Sequence, residues 1–319
     1  MSRSANPRTR CVPESTWMRM TKWLRENRQT VIRGLGSLLA LALLLVLVRE
    51  EGDGELFSAM RRVSFWYFLA AIGALLVSRL FAVARWHILL KSAGVEISYL
   101  RSAMLTFTGN FSSNFLPTTI GGDVARLAGA MQLGYDRAVC LASLVADRLI
   151  GMVGMALALP LGLIPAFALG DGASQAIAVS TLFQKGMDFA KRTLESLSIW
   201  LKRPLALTGS LLYTLGNQAF IYFAIYLLLQ GIDHHVPYWL VAGMYTLTYF
   251  VTLIPISING LGVQELSMAF LLVQLGGLTS SESATIALLT RVLFILASLP
   301  GAFFLPSILA AMNEKKSVE

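Results

Sequence analysis

The stretch Pro117-Thr118-Thr119-Ile120-Gly121-Gly122-Asp123 interrupts one apolar run of the chain. A second, Pro255-Ile256-Ser257-Ile258-Asn259-Gly260-Leu261-Gly262, interrupts another in the same way. Both fit the pattern Pro-x-[Ser/Thr]-Ile-[Gly/Asn]-Gly, and each is followed by a charge, Arg126 in the first case and Glu265 in the second. Proline removes a backbone donor and kinks or ends a helix; glycine supplies conformations and close approaches that other residues cannot. Unpaired backbone at membrane depth is tolerated only where protein or a water-filled cavity surrounds it. The two segments therefore read as re-entrant turns or discontinuous helices, with Pro117 and Pro255 as hinges. Helices starting near Asp123 and Val263 would aim positive dipole ends at the breaks, which suits an anionic group such as phosphate. Arg126 strengthens that tendency at the first break and Glu265 opposes it at the second.

The surrounding composition makes the solvent hydrocarbon. Of 319 residues, 55% are hydrophobic and 14% charged, with mean hydropathy +0.65, against about 25% charged in an ordinary soluble domain. Soluble enzymes, disordered chains and secreted disulfide scaffolds are poor fits. Spanning helices need roughly 17–25 mainly apolar residues, and eight runs are candidates: Val31–Val48, Ser64–Ala84, Ser102–Leu116, Arg137–Leu169, Leu205–Gly231, Tyr238–Ile254, Val263–Leu275 and Ala284–Leu305. The fourth is long enough for one tilted span plus a broken end, at Pro160 or Pro165. A long polar segment precedes Val31 and Arg49-Glu50-Glu51 follows Val48, so the first run is not a cleavable signal. The expected organisation is a basic cytoplasmic tail (1–30), a transmembrane domain (31–306) and a short cytoplasmic tail (307–319). The expected fold is all-α: a polytopic membrane helix bundle of about eight spans with two broken segments. The loop 170–204 is too short for a catalytic domain, and its apolar stretch Ala173–Phe183 suits an interfacial helix.

Charge orients these spans. Segments 1–33, 85–101, 185–203 and 307–319 hold 8, 3, 5 and 2 Lys and Arg, whereas 49–62 and 121–137 hold 3 and 2, a split of 18 to 5. Because cytoplasmic loops carry the basic excess, both termini are expected inside, in a bacterial-type cytoplasmic membrane. The first break then lies toward the outside and the second toward the cytoplasm, as in an inverted-repeat transporter. The net charge of +8 is mostly this topology signal. The basic tail suits contact with anionic headgroups, and no folded basic domain is present to bind nucleic acid. Cys11 and Cys140 lie far apart in unlike settings, and His87, His234 and His235 have no nearby Cys or acidic cluster. We read no disulfide, metal site or cofactor from them.

Five charges fall within or at the ends of apolar runs: Arg79, Asp147, Arg148, Glu265 and Arg291. Each would cost about 2.5–3.5 kcal/mol at a lipid-exposed helix centre, so they must face the bundle interior, a cavity or the headgroup zone. Arg79 either snorkels to the cytoplasmic interface or faces inward. Asp147 and Arg148, about 100° apart on a helix, are better placed to pair with other helices than with each other. Glu265 is the acid expected to meet Arg291. Asn110 and Asn114, four residues apart, share one helix face with Thr and Ser neighbours, which serves interhelical bonding or lines a polar path.

At these residues the chain resembles the membrane domain of lysylphosphatidylglycerol synthases and their flippase-like relatives. The likeness rests on Asn114-Phe115-Leu116-Pro117-x-x-Ile120-Gly121-Gly122-Asp123-x-x-Arg126, on Asp147-Arg148-x-x-Gly151, on Gly260-Leu261-Gly262-Val263-Gln264-Glu265 and on Arg291. In order, these cover about 85–305. Asn259, where the family more often has Gly, and Gln264, where it often has Arg, depart from it. The resemblance implies a lipid translocase domain, with aminoacyl transfer belonging to a separate soluble domain. The chain ends at Glu319, which implies a flippase-like protein and not a synthase.

Three function classes follow. In the first, a flippase-like transporter, Arg126, Arg148 and Arg291 neutralise a headgroup phosphate while Asp123, Asp147 and Glu265 orient them. Asn110, Asn114, Gly121, Gly122, Asn259, Gly260 and Gly262 complete the expected substrate site, and no residue is assigned a catalytic role. The expected partners are membrane lipids and a lipid-biosynthesis enzyme. The second class is an integral-membrane transferase with Asp123 as base, which has no metal-ligand cluster and no nucleophile beside a base to support it. The third is an accessory subunit docked through the small residues Gly151, Gly154 and Ala158.

Overall fold

A computed structural model describes residues 63–116, 121–168, 204–253 and 257–304. Eight α-helices and one 3₁₀ turn make up the described residues: α1 (Phe65–Ser92), α2 (Tyr99–Ser112), α3 (Gly121–Gln132), α4 (Arg137–Ala168), α5 (Pro204–Gly231), α6 (Tyr238–Thr252), the turn Ile258–Gly260, α7 (Val263–Gln274) and α8 (Ser280–Ser298). The expected span Val31–Val48, the hinges Pro117 and Pro255, the stretch Ala173–Phe183 and the tails 1–30 and 307–319 lie outside the described residues.

Length sorts the helices into two kinds. α1, α4, α5 and α8, the last continuing to Phe304, are long and apolar enough to cross a membrane. The other four, α2, α3, α6 and α7, have 14, 12, 15 and 12 residues. At 1.5 Å per residue they reach about 18–23 Å, short of a hydrocarbon core of about 30 Å.

The short helices pair into two hairpins, α2 on α3 and α6 on α7. Each hairpin enters and leaves at one end of the bundle. Tyr135 Oη, just past α3, donates to Glu96 O, just before α2, at 3.4 Å. His234 Nε2, just before α6, lies 3.1 Å from Gly276 O, just past α7. The two hairpins enter from opposite ends: the first follows the end of α1 and the second follows the end of α5. These helices are antiparallel, since Ser64 N at the start of α1 donates to Gly231 O at the end of α5 at 3.0 Å. The order long, short, short, long thus occurs twice, the second time inverted.

This arrangement corrects four expectations. Ser102–Leu116, Tyr238–Ile254 and Val263–Leu275 are arms of re-entrant hairpins and not spans, because the Pro/Gly breaks stop them partway. Segment 121–137 therefore returns to the same end as 85–101 and does not lie on the opposite side from it, as the charge count assumes. α4 runs unbroken through Pro160 and Pro165, as membrane helices can when neighbours satisfy the freed backbone groups. Finally, α4 and α5 run in the same direction. Cys140 and Leu144 near the start of α4 pack with Trp86 and Leu90, and Leu207 near the start of α5 packs against the Leu89 cluster, all toward the end of α1. The end of α4 and the start of α5 thus lie at opposite ends of the bundle, where the sequence reading expects a connection on one side; the expected loop 170–204 itself falls almost wholly outside the described residues.

Glycine permits the tightest contacts. A Cβ on Gly122 would lie 2.6 Å from Gly109 O, so the hairpin arms α2 and α3 touch backbone to backbone. A Cβ on Gly162 of α4 or on Gly243 of α6 would run into the other helix. Gly154 faces Thr214 and Gln218, Gly151 faces Arg85, and Ala158 packs on the main core, so the small-residue face of α4 is used within the chain.

The hairpin topology makes a labelling prediction. In a protein lacking Cys11 and Cys140, cysteines at Glu96 and Arg137 should react with an impermeant maleimide from one side of sealed vesicles. Cysteines at His235 and Thr279 should react only from the other. Opposite sidedness for Glu96 and Arg137 would restore the eight-span reading.

Candidate functional site

The first hairpin carries its charges at its tip. α3 begins at Gly121, with Asp123 in its first turn and Arg126 one turn on. Arg126 Nη1 donates to Asp147 Oδ2 on α4 at 3.1 Å and lies 3.4 Å from Asp123 Oδ1. The other oxygen of Asp147 accepts from Arg85 Nε on α1 at 2.7 Å. Arg148, the next residue on α4, pairs with Asp123. Asp147 and Arg148 thus diverge and each bonds a different helix. The Arg126 guanidinium lies over the Trp86 ring, 4.1 Å from its centre, a geometry that favours a cation electrostatically. Trp86 is fixed in turn by its indole N–H, which donates to Ser143 Oγ at 3.1 Å.

The second hairpin is built differently. Asn259, Gly260 and Gly262 have φ of 51°, 70° and 77°, in the left-handed region where Asn is among the residues best tolerated after Gly. The departure at Asn259 therefore keeps the turn. α7 begins at Val263, and Glu265 Oε2 accepts from Gly262 N at 2.7 Å. Its own carboxylate thus occupies this helix end, and the other oxygen holds Arg291 of α8. Arg79 does not snorkel. Helix α1 runs on to Ser92, which leaves Arg79 near its middle. Its guanidinium carbon lies 5.2 Å from the centre of Phe294, which stacks on Tyr245.

The two hairpin tips and the long helices enclose a cavity of about 430 Å³. Among the residues expected from sequence, Asn110, Asn114, Asp123, Arg126, Asp147, Arg148, Asn259, Gly260 and Arg291 line it. Gly121, Gly122, Gly262 and Glu265 stand behind the wall, where they pack or cap. Asn114 Nδ2 also donates to Ser298 Oγ at 2.8 Å, tying the first tip to α8. Arg79, Arg85, Asn217, Gln218, Tyr245 and Gln264 line it as well. Arg85 escaped the sequence reading because the apolar run was ended at Ala84. The signal was the buried periodicity of Trp86, Leu89 and Leu90, which carries the helix, and Arg85 with it, into the bundle.

A helical membrane bundle with two opposed re-entrant hairpins around a charged interior cavity is the class these observations define. The chain belongs to the family described as lysylphosphatidylglycerol synthase TM region, whose model matches residues 34–184 and 173–301. It is a multi-pass membrane protein. A UPF0104 membrane protein of Methanothermobacter thermautotrophicus is 30% identical over 138 residues, which is 42% of this chain and 38% of that protein. The match thus spans well under half of the curated relative.

The Glu265–Arg291 pair is open to a charge-swap test. Glu265→Ala or Arg291→Ala leaves a buried partner charge uncompensated, which costs about 3–5 kcal/mol, so each should lower the midpoint of thermal unfolding in detergent. The double variant Glu265→Arg/Arg291→Glu should recover part of the loss. Absence of any recovery, with all variants well expressed, would count against the pair.

Proposed function

We propose that the protein is a lipid translocase that moves a lipid with an anionic headgroup between leaflets. The observation that carries this is the convergence of five arginines on one cavity at the tips of two hairpins that enter from opposite ends. A bound headgroup would sit among Arg126, Arg148 and Arg291 while its acyl chains stay in lipid. Rocking about the two glycine-containing breaks would alternate the side to which the cavity opens. The carboxylates Asp123, Asp147 and Glu265 orient the arginines in each state. On this reading the protein is not a transferase, and its partners are membrane lipids and an enzyme that makes or uses the lipid.

Sidedness follows from charge. The exposed Lys91, Arg101 and Arg137 lie at the end where α1 finishes, and no Lys or Arg among the described residues lies at the other end. By the positive-inside rule the first end is cytoplasmic, the first hairpin enters from the cytoplasm, and both termini are cytoplasmic in a bacterial-type cytoplasmic membrane.

The test is transport in proteoliposomes carrying fluorescent anionic and zwitterionic lipids, with leaflet exposure read by dithionite quenching. Anionic lipid should cross faster than in protein-free vesicles, and Arg126→Gln should slow it by about tenfold or more, the effect of losing one charged hydrogen bond. No transport across a broad lipid panel by well-folded protein would remove the proposal.

A further inference from the structure

The charges facing the cavity do not balance. Five arginines converge there, and the carboxylates that meet them are Asp123, Asp147 and Glu265. All other charged side chains among the described residues lie toward the two ends of the bundle, so the described residues give the interior an excess of two positive charges. The excess has addresses. Asp147 is shared by Arg85 and Arg126, which leaves one charge over in that trio. Arg79 has an aromatic face beside it and, among the described residues, no carboxylate. Unused donors mark the same places: Nε and Nη2 of Arg126, Nε of Arg79 and Nη2 of Arg291 are buried without a hydrogen-bond partner. Arg126 is more than nine-tenths buried. Uncompensated charge and unpaired guanidinium donors in a membrane interior are costly, and both are relieved by a ligand that brings two negative charges and several acceptor oxygens.

We propose that the cavity selects a lipid whose headgroup ends in a dianionic phosphate, a phosphate monoester or diphosphate, over phosphodiester lipids and over aminoacylated lipids of net positive charge. The inference rests on the translocase reading for the lipid source, whereas the charge count stands without it. A phosphate monoester has a second pKa near 6 and carries close to two charges above it; a phosphodiester carries one at any ordinary pH. Two excess positive charges and unpaired donors on two sides of the cavity match the former. A cationic aminoacyl headgroup would instead add charge of the sign already in excess.

The test is binding to the purified full-length protein in neutral detergent. The probes are radiolabelled dodecyl phosphate, methyl dodecyl phosphate and inorganic phosphate at pH 8 and pH 5. Dodecyl phosphate should bind about tenfold or more tightly than the methyl diester at pH 8, and the preference should shrink at pH 5, where the monoester becomes a monoanion. Arg79→Gln should narrow the preference, and Arg79→Lys should keep it, with both variants checked for an unchanged elution profile. Equal binding of monoester and diester at pH 8 would overturn the inference and leave an anion-transport reading standing. A monoester preference without any transport of lipid phosphates would do the reverse. If inorganic phosphate binds as tightly as dodecyl phosphate, the dianion site stands and the source is free phosphate instead of a lipid.

Discussion

An ionised carboxylate inside a membrane bundle must be surrounded by donors or it costs several kcal/mol. Asp147, 3% exposed, meets that demand with Arg85 from α1 and Arg126 from α3. Much of the first half of the protein follows from this one carboxylate. It holds the first hairpin against two long helices. It places Arg126 over Trp86, and the next residue along, Arg148, reaches Asp123 on the same hairpin. The second half solves the same problem with Glu265, which caps α7 and pairs with Arg291 of α8. In each half a carboxylate joins the tip region of a hairpin to a long helix.

The paired breaks and interior charges were legible in the residues themselves, because Pro/Gly interruptions and charges in apolar runs have few cheap explanations in hydrocarbon. That the two breaks belong to opposed halves was legible too, but the end from which each hairpin enters and how far it reaches were not. Tyr238–Ile254 is apolar enough for a span, and Ser102–Leu116, though rich in Ser, Thr and Asn, reads as one from its apolar flanks; hydropathy does not report that α2 and α6 are too short to cross. The partner of α2 is α3, whose polar first turn around Asp123 and Arg126 reads as a loop until Gly109 and Gly122 are seen in contact. Arg85 and Arg79 illustrate a second gap. A charge near a helix end has the same local sequence whether it snorkels or points inward, and the three-dimensional placement of Asp147 and Phe294 decides it.

The inverted order of the halves matters for the proposed activity. Two hairpins of the same build, entering from opposite ends, give a cavity that neither end owns. On the proposed reading, small shifts of either tip would change which end can reach the arginines. The halves are not chemically alike, however: the first tip presents Arg126 and the second presents Glu265 as a cap. A headgroup would therefore meet most of its positive charge on the α1, α3 and α4 side and at Arg291, with the second tip acting mainly as a wall and a gate.

The dependence of the first hairpin on Asp147 can be measured by a double-mutant cycle on unfolding in detergent, with Arg126→Gln, Asp147→Asn and the double variant. Asp147→Asn should cost about 3–5 kcal/mol by leaving Arg85 and Arg126 buried without their carboxylate; Arg126→Gln, which leaves the Arg85–Asp147 pair in place, should cost less, and the double change should cost clearly less than the sum of the two, because the interaction it removes is shared. Losses below about 1 kcal/mol that simply add, the behaviour of distant, independent sites, would show that the pair does not hold the hairpin and would contradict the account.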